Sequence, residues 1–269
     1  MTIDVYAVAH NEALMVPYFL RHYSAFARRL YVWEDESTDG TRELLAAHPE
    51  IVTLLPLDRH GVDDLYWVRE LFPQYLTRSA DADWVLFVDL DEFVYHPHLI
   101  RTLRGAAQDE TRLIACDGYQ MVADAPPTGT GQIYEEIRDG FPDVWQSKSI
   151  IVAPSLAIIY SPGRHHIQMT APDPAKIKWD RSRPFRESWL VTSEMGDARP
   201  VGRTDLGIKL LHFRWFGRAY AERRSAENLS RMSEMNVKFK WHKHNRPHDT
   251  GPQSVAWFEA KRPEATRIV

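Results

Sequence analysis

The apolar positions of this chain repeat with two periods, and the period switches back and forth. The stretch IDVYAVA, Ile3–Ala9, reads as a strand; Leu14, Tyr18, Tyr23 and Phe26 then recur at helical spacing. Residues 29–35 (RLYVWED) carry a second strand pattern, and STDGTRELLAAH follows with polar capping residues and a short helix. A third strand is expected over 51–57, a helical stretch broken by Pro73 over 65–80, and a fourth strand over 83–91. A helix over 98–108 and a fifth strand over 111–117 complete this half. Such alternation predicts βαβ crossovers, hence an α/β fold with a mostly parallel, Rossmann-like central sheet flanked by helices. The run VLFV at 85–88 is apolar without interruption, as in a central strand covered on both faces.

The second half is less regular and predicts a smaller, mixed region. Residues 123–132 (ADAPPTGTGQ) read as a loop, and SKSIIVAP and SLAIIYSP as two short strands. A polar stretch rich in Pro and Arg covers 161–203, a late strand 206–215, and a helix 219–237 with Tyr220, Leu229, Met232 and Met235 as its apolar face. The tail is polar. No repeat or linker interrupts the chain, so a single domain over 1–269 is expected, with 1–117 as one half and 118–269 as the other.

Composition narrows the classes. With 269 residues, 44% of them hydrophobic, the chain can bury an ordinary core. A formal net charge of -4 argues against a general nucleic-acid binder. The one cysteine, Cys116, cannot form a disulfide framework or a cysteine zinc site, which suits the cytoplasm. The opening MTIDVYAVAHNEA lacks the pattern of a signal peptide, and no apolar run approaches the roughly 20 residues that cross a bilayer. No transmembrane segment is therefore expected; peripheral membrane contact stays open. The sequon at Asn228 is read as having no role.

Candidate chemistry sits at strand ends. The fourth strand runs into Asp89, Asp91 and Glu92, at the edge where open parallel sheets bind ligands. Two carboxylates at i and i+2 face one side and repel unless a cation lies between them. Oxygen ligands suit Mg2+ or Mn2+, and such an ion keeps positions for substrate phosphates. The simpler reading is a helix cap and solvated acids. Against it, the second strand also ends in acids, Glu34, Asp35 and Glu36, and the first in His10, Asn11 and Glu12. A carboxylate at the second strand end can accept hydrogen bonds from a nucleobase or a ribose.

AVAHNE, DESTDGT and WVLFVDLDEF, in this order and spacing, resemble the GT-A glycosyltransferases, in particular the family-2-like branch with a D-x-D-E-F box. SKSIIVAP, GRHH at 163–166 and LHFRW at 211–215 resemble later landmarks of that branch. The resemblance implies a GT-A fold whose first half binds a nucleotide sugar and whose second half faces the acceptor. It implies that Asp35 holds the base, that Asn11 and Glu12 line the same pocket, and that Asp91 binds the metal. Asp89 would contact the ribose or the metal's water shell, and His212 would complete the metal site. The implied activity is transfer of a sugar from a nucleoside-diphosphate donor to a hydroxyl of a glycan or small-molecule acceptor, with inversion.

An inverting transfer needs a base for the acceptor proton. Asp117, at the expected end of the fifth strand, is favoured, with Glu92 and Glu187 as rivals; the branch's Glu-Asp pair has no match near RES at 186–188. Of His165 and His166, which point opposite ways in an extended chain, His166 is expected to meet the donor phosphates or the acceptor. Lys148 is expected to steady the diphosphate. The segment KFKWHKHNRPH at 238–248 is read as a solvated basic tail or a lid, and His242 and His244 have metal-like spacing. Two alternatives stand beside this reading. A nucleotidyltransferase would want a glycine-rich loop after the first strand, where HNEALMVP has none. A binding module without catalysis would not need the D-L-D box.

Overall fold

The computed structural model of the chain describes residues 1–160, 167–169 and 202–269. Its elements, in chain order, begin with β1 (Ile3–Ala9), α1 (Val16–Tyr23), β2 (Arg29–Glu34), α2 (Thr41–Ala46) and β3 (Val52–Leu55). Helical turns over 64–78 include α3 (Asp64–Tyr66) and α4 (Tyr75–Arg78). Next come β4 (Trp84–Phe87), β5 (Glu92–Tyr95), α5 (Leu99–Gln108), β6 (Leu113–Ala123), α6 (Ile133–Glu136), β7 (Asp139–Pro142), β8 (Lys148–Val152), β9 (Ile158–Tyr160) and β10 (Ile167–Met169). The chain finishes with β11 (Gly202–Arg203), β12 (Lys209–Phe216), α7 (Arg218–Ser230), α8 (Glu234–Lys238), α9 (Val255–Lys261) and β13 (Thr266–Arg267).

The main sheet runs β13-β7-β6-β8-β4-β1-β2-β3. β3, β2, β1 and β4 pair in parallel. Beyond β4 the sheet is mixed: β8 is antiparallel to β4 and β6, and β12 is parallel to β6 but antiparallel to β5. The expected α/β class and central sheet are present, parallel in the first half and mixed in the second. The order reverses at β1, because β2 and β3 build away on one side and β4 lies on the other. A crevice opens at the carboxyl ends of strands at such a reversal.

The sheet divides two apolar layers, and strand periodicity decides which layer receives each side chain. Along β4 and the residue after it, Trp84, Leu86 and Val88 enter one layer with Phe19 and Tyr23 of α1 and Leu103 of α5. Val85 and Phe87 enter the other, with Val68, Phe72 and Tyr75 from the turns over 64–78. This double burial explains why 85–88 carries no polar residue.

Four expectations change. The fourth strand does not run to 91: β4 stops at Phe87, and Glu92 opens β5, whose register sets Glu92 against His212 of β12. Asp89 and Asp91 thus occupy the turn between two strands. The fifth strand does not stop at Asp117: pairing with β7 and β12 carries β6 on to Ala123, leaving Asp117 mid-strand. The helix expected over 219–237 is split into α7 and α8, because the chain between them pairs with the loop before α3. There Val62 N–H donates to Arg231 O (2.8 Å), Ser233 N–H donates to Val62 O (2.9 Å), and the Ser233 side chain caps α8. The tail is not merely polar, since Phe258 of α9 stacks on Trp215 at 5.2 Å. Among the described residues no helix is long and apolar enough to cross a membrane.

Candidate functional site

Two adjoining cavities lie where β1, β2 and β4 end. The first, about 150 Å³, is lined by His10 and Glu12 after β1, Asp35 after β2 and Asp89, Leu90 and Asp91 after β4. Its far wall is His212 and Arg214 of β12 with Arg224, Asn228 and Arg231. The second, about 120 Å³, shares Trp67, Asp89, His212, Arg214 and His242 with the first and adds Asp64, Glu92, Gln146, Lys148, His244 and Gln253 among others. The three strand ends do converge on one crevice, and the wall facing them comes from the second half of the chain.

Asp91 and His212 meet in the first cavity, with His212 Nε2 3.5 Å from Asp91 Oδ2. Gln120 Oε1 lies 2.8 Å from His212 Nδ1 and orients the ring, which leaves Nε2 facing Asp91. Burial pushes the Asp91 carboxyl up, but the charges of His212 and Arg224 and the His212 hydrogen bond bring it below the ordinary carboxylate range. Asp89 lines both cavities, and its N–H donates to Glu92 Oε2 (3.0 Å), which ties the turn. Among the described residues no three acid, histidine or cysteine side chains are gathered as a ready metal cage. The expected set of Asp89, Asp91 and His212 is thus one close pair with Asp89 on the same wall. One carboxylate oxygen and one imidazole nitrogen, open to a cavity, fit Mn2+ or Mg2+ completed by substrate oxygens.

Asp35 is buried and fully used. Its carboxylate accepts from His60 Nδ1 (2.8 Å), Gly61 N–H (2.9 Å) and Arg231 Nη2. Glu12 is buried against Arg224 Nη2. Burial pushes the Glu12 carboxyl up to about 8; Arg224 opposes this, and the charges of Asp91 and Asp89 reinforce it. Burial works against the charge on Arg224, but Glu12, Tyr220, Asp91 and Glu227 carry its pKa upward. Among the described residues no carboxylate lies at hydrogen-bond distance from Arg214, and burial pushes it down to about 10; its Nη2 donates to Asn245 Oδ1. The expected pocket role of Asn11 is not met: its amide group donates to Glu227 and accepts from Thr38 N–H (2.8 Å), and it lines neither cavity.

Lys148 lies in the second cavity, but its Nζ is 2.5 Å from Glu92 Oε1, which also accepts from Gln146 Nε2. Glu92 is buried with both oxygens engaged, so neither partner matches its expected role of free base or diphosphate clamp. Asp117 lines neither cavity. It stands three residues before Gln120 on β6 and so points to the opposite face, beside Lys209, whose ammonium lies over Tyr119 and donates to Ile268 O. His166 and Glu187 lie outside the described residues.

Sequence reasoning missed the three arginines. Arg224, Asn228 and Arg231 are spaced as one helix face, a polar signal that a search for apolar periodicity passes over. The segment 238–248 has exposed lysines and also contributes to the cavity walls. His242 lines both cavities with Nε2 2.7 Å from Asp64 Oδ2, and its ring lies 5.6 Å from that of His244. Gly61 fixes this wall in place. It has φ +95°, and a Cβ there would meet Arg231 O at 2.5 Å. Gly61→Ala is expected to push the 231–233 segment outward and cost about 1–3 kcal/mol, read as a lower urea midpoint. A wild-type midpoint would refute the clamp.

No protein-family model matches the chain. Uncharacterized proteins of Mycobacterium tuberculosis and Mycobacterium bovis are each 30% identical to it over 116 residues, 40% of this chain. The match spans 28% of the length of these curated relatives. Among solved structures, S. aureus TarS 1–349 in complex with UDP-GlcNAc is 14% identical with a TM-score of 0.45, covering 88% of this chain and 69% of that one. Glucosyl-3-phosphoglycerate synthase from M. tuberculosis, with Mn2+, UDP-glucose and phosphoglyceric acid, is 17% identical with a TM-score of 0.37, covering 61% of each chain. The architecture given above stands on this chain's own strand order.

Proposed function

We propose that the chain is a metal-dependent, inverting glycosyltransferase of GT-A type that uses a nucleoside-diphosphate sugar. The observation that carries this reading is the first cavity, where a carboxylate–imidazole pair, Asp91 and His212, shares the lining with Arg214 and Arg224 at a reversal of strand order. A diphosphate needs such an environment: hard ligands for a cation and guanidinium donors in one crevice. Asp91 and His212, with Asp89 nearby, would hold the ion. When bound, it would neutralise charge on the leaving nucleoside diphosphate.

Asp35 and Arg231 close the end of this cavity beyond Glu12, where base and ribose would lie, and the second cavity would receive sugar and acceptor. The donor side then draws on both halves of the chain, because Arg224 and Arg231 belong to the second. Glu92 is bound up with Lys148 and Gln146, so none of the described acids in these cavities is assigned as the proton acceptor. The test is calorimetric titration of nucleoside diphosphates with and without Mn2+, followed by a screen of nucleotide sugars for turnover. Heat of binding that ignores Mn2+, with no sugar nucleotide turned over, would refute the reading.

Asp35→Ala separates the two ends of the cavity. It removes the acceptor for Arg231 and Gly61 but leaves Asp91 and His212 in place. Nucleoside diphosphate affinity is expected to fall about 10- to 100-fold, because His60, Gly61 and Arg231 lose the carboxylate that holds them at the base end, while Mn2+ still tightens what binding remains. Undiminished affinity in the titration would remove Asp35 from the base end.

A further inference from the structure

Among the described residues seven large hydrophobic side chains are exposed, and five of them fall in two short stretches, 144–145 and 235–239. Both stretches border the second cavity. Val144 and Trp145 directly precede Gln146 in its lining. Met235 and Val237 flank Asn236, whose amide donates to Asp64 of the same lining (2.7 Å). Phe239 stacks on Trp241 at 5.0 Å, and His242 follows in the cavity wall. The exposures are large: 54% for Trp145, 52% for Val237 and 50% for Phe239. Lone exposed apolar residues are ordinary on a surface; five around one cavity mouth are a patch.

The charges between these apolar residues of the 235–248 stretch are basic, with Glu234 and Asp249 just outside its two ends. Lys238, Lys240, Lys243 and Arg246 are exposed between and beyond these apolar side chains, and no acid occurs from 235 to 248. Apolar groups interleaved with lysines match a bilayer interface, where apolar side chains enter the acyl boundary, rings sit at headgroup level and ammonium groups reach lipid phosphate. A second copy of the chain matches less well, since a two-fold contact would set this basic strip against itself. We propose that the rim of the second cavity, formed by 144–145 and 235–246, docks the protein on an anionic lipid surface. Docking would turn the cavity mouth toward the membrane, so its substrate would be presented from the lipid plane. This goes beyond the transfer reaction, and its test does not need that reaction.

The test is sedimentation of the full chain with sucrose-loaded vesicles of phosphatidylcholine, alone or mixed with phosphatidylglycerol. Binding to the mixed vesicles only, weakened by salt, is expected. Replacing Lys238, Lys240 and Lys243 together by Gln should lower partitioning about 100-fold, at about five-fold per lysine. Phe239→Ser should lower it about 10-fold and leave the salt dependence intact. These side chains are exposed, so both variants should keep the wild-type thermal midpoint. Absence of binding to the mixed vesicles, or equal binding by wild type and variants, overturns the proposal. So does a concentration-dependent dimer in sedimentation velocity that Phe239→Ser dissolves, because the patch would then be covered by a second copy.

Discussion

Asp91→Ala is expected to abolish metal-dependent donor binding and to lower sugar transfer about 1000-fold or more, with the fold retained. The carboxylate is the anionic member of the pair with His212, held ionised by that histidine and by Arg224. Alanine leaves an imidazole and Asp89 on the same wall, too little to hold a hard cation against a diphosphate in water. The fold should survive because the structural bond at this position is made by the main chain: Phe213 N–H donates to Asp91 O at 2.8 Å. His212 also keeps Gln120 as its orienting partner. Calorimetry checks the outcome. Wild type should bind nucleoside diphosphate more tightly with Mn2+, and the variant should give one weak affinity with or without it. A variant with wild-type Mn2+-dependent affinity and an unchanged melting curve would end the metal assignment.

What could be read beforehand was local, and what could not was made by distant contacts. The bounds of β1 follow from its own alternation, and 85–88 announces a doubly covered strand because each residue there enters a core layer. The clustering of acids at neighbouring strand ends was legible for the same reason, since parallel strands bring their ends together. The end of β4 was not, because Glu92 is drawn into β5 by β12, far along the chain. Asp117 was misplaced by one missing fact, the continuation of β6 past it, which turns a strand end into a strand middle. Lys148 reads from the sequence as a diphosphate clamp; only the folded sheet sets β8 beside β6 and brings its ammonium to Glu92. Arg224 and Asn228 stayed hidden because α7 buries only Ala221 and Ser225, so its cavity-lining face has no apolar signature.

Arg224→Ala is the other large effect, and its size should depend on pH. The guanidinium is the main partner of a buried carboxylate, Glu12, and also donates to Asn11 O at 3.3 Å. In the wild type the Glu12 carboxyl stands at about 8 when folded, against an ordinary value of 4.5. Below the ordinary value both states hold the proton, and the group's contribution to stability is whole. As pH rises toward the folded value, the unfolded chain has lost its proton while the folded chain keeps it, so stability falls. Alanine removes the strongest influence that opposes this shift, moving the folded pKa higher still, so the fall extends further into alkali. At about pH 6 Glu12 is neutral with or without Arg224, and the variant should lose about 1 kcal/mol, the worth of hydrogen bonds to the missing group. At about pH 9 the wild type gains the ion pair while the variant must hold a proton or bury a lone charge, and the loss should reach about 2 kcal/mol. Urea denaturation at the two pH values measures the difference. Equal destabilisation at both would mean that Glu12 stays ionised throughout, held by something other than Arg224.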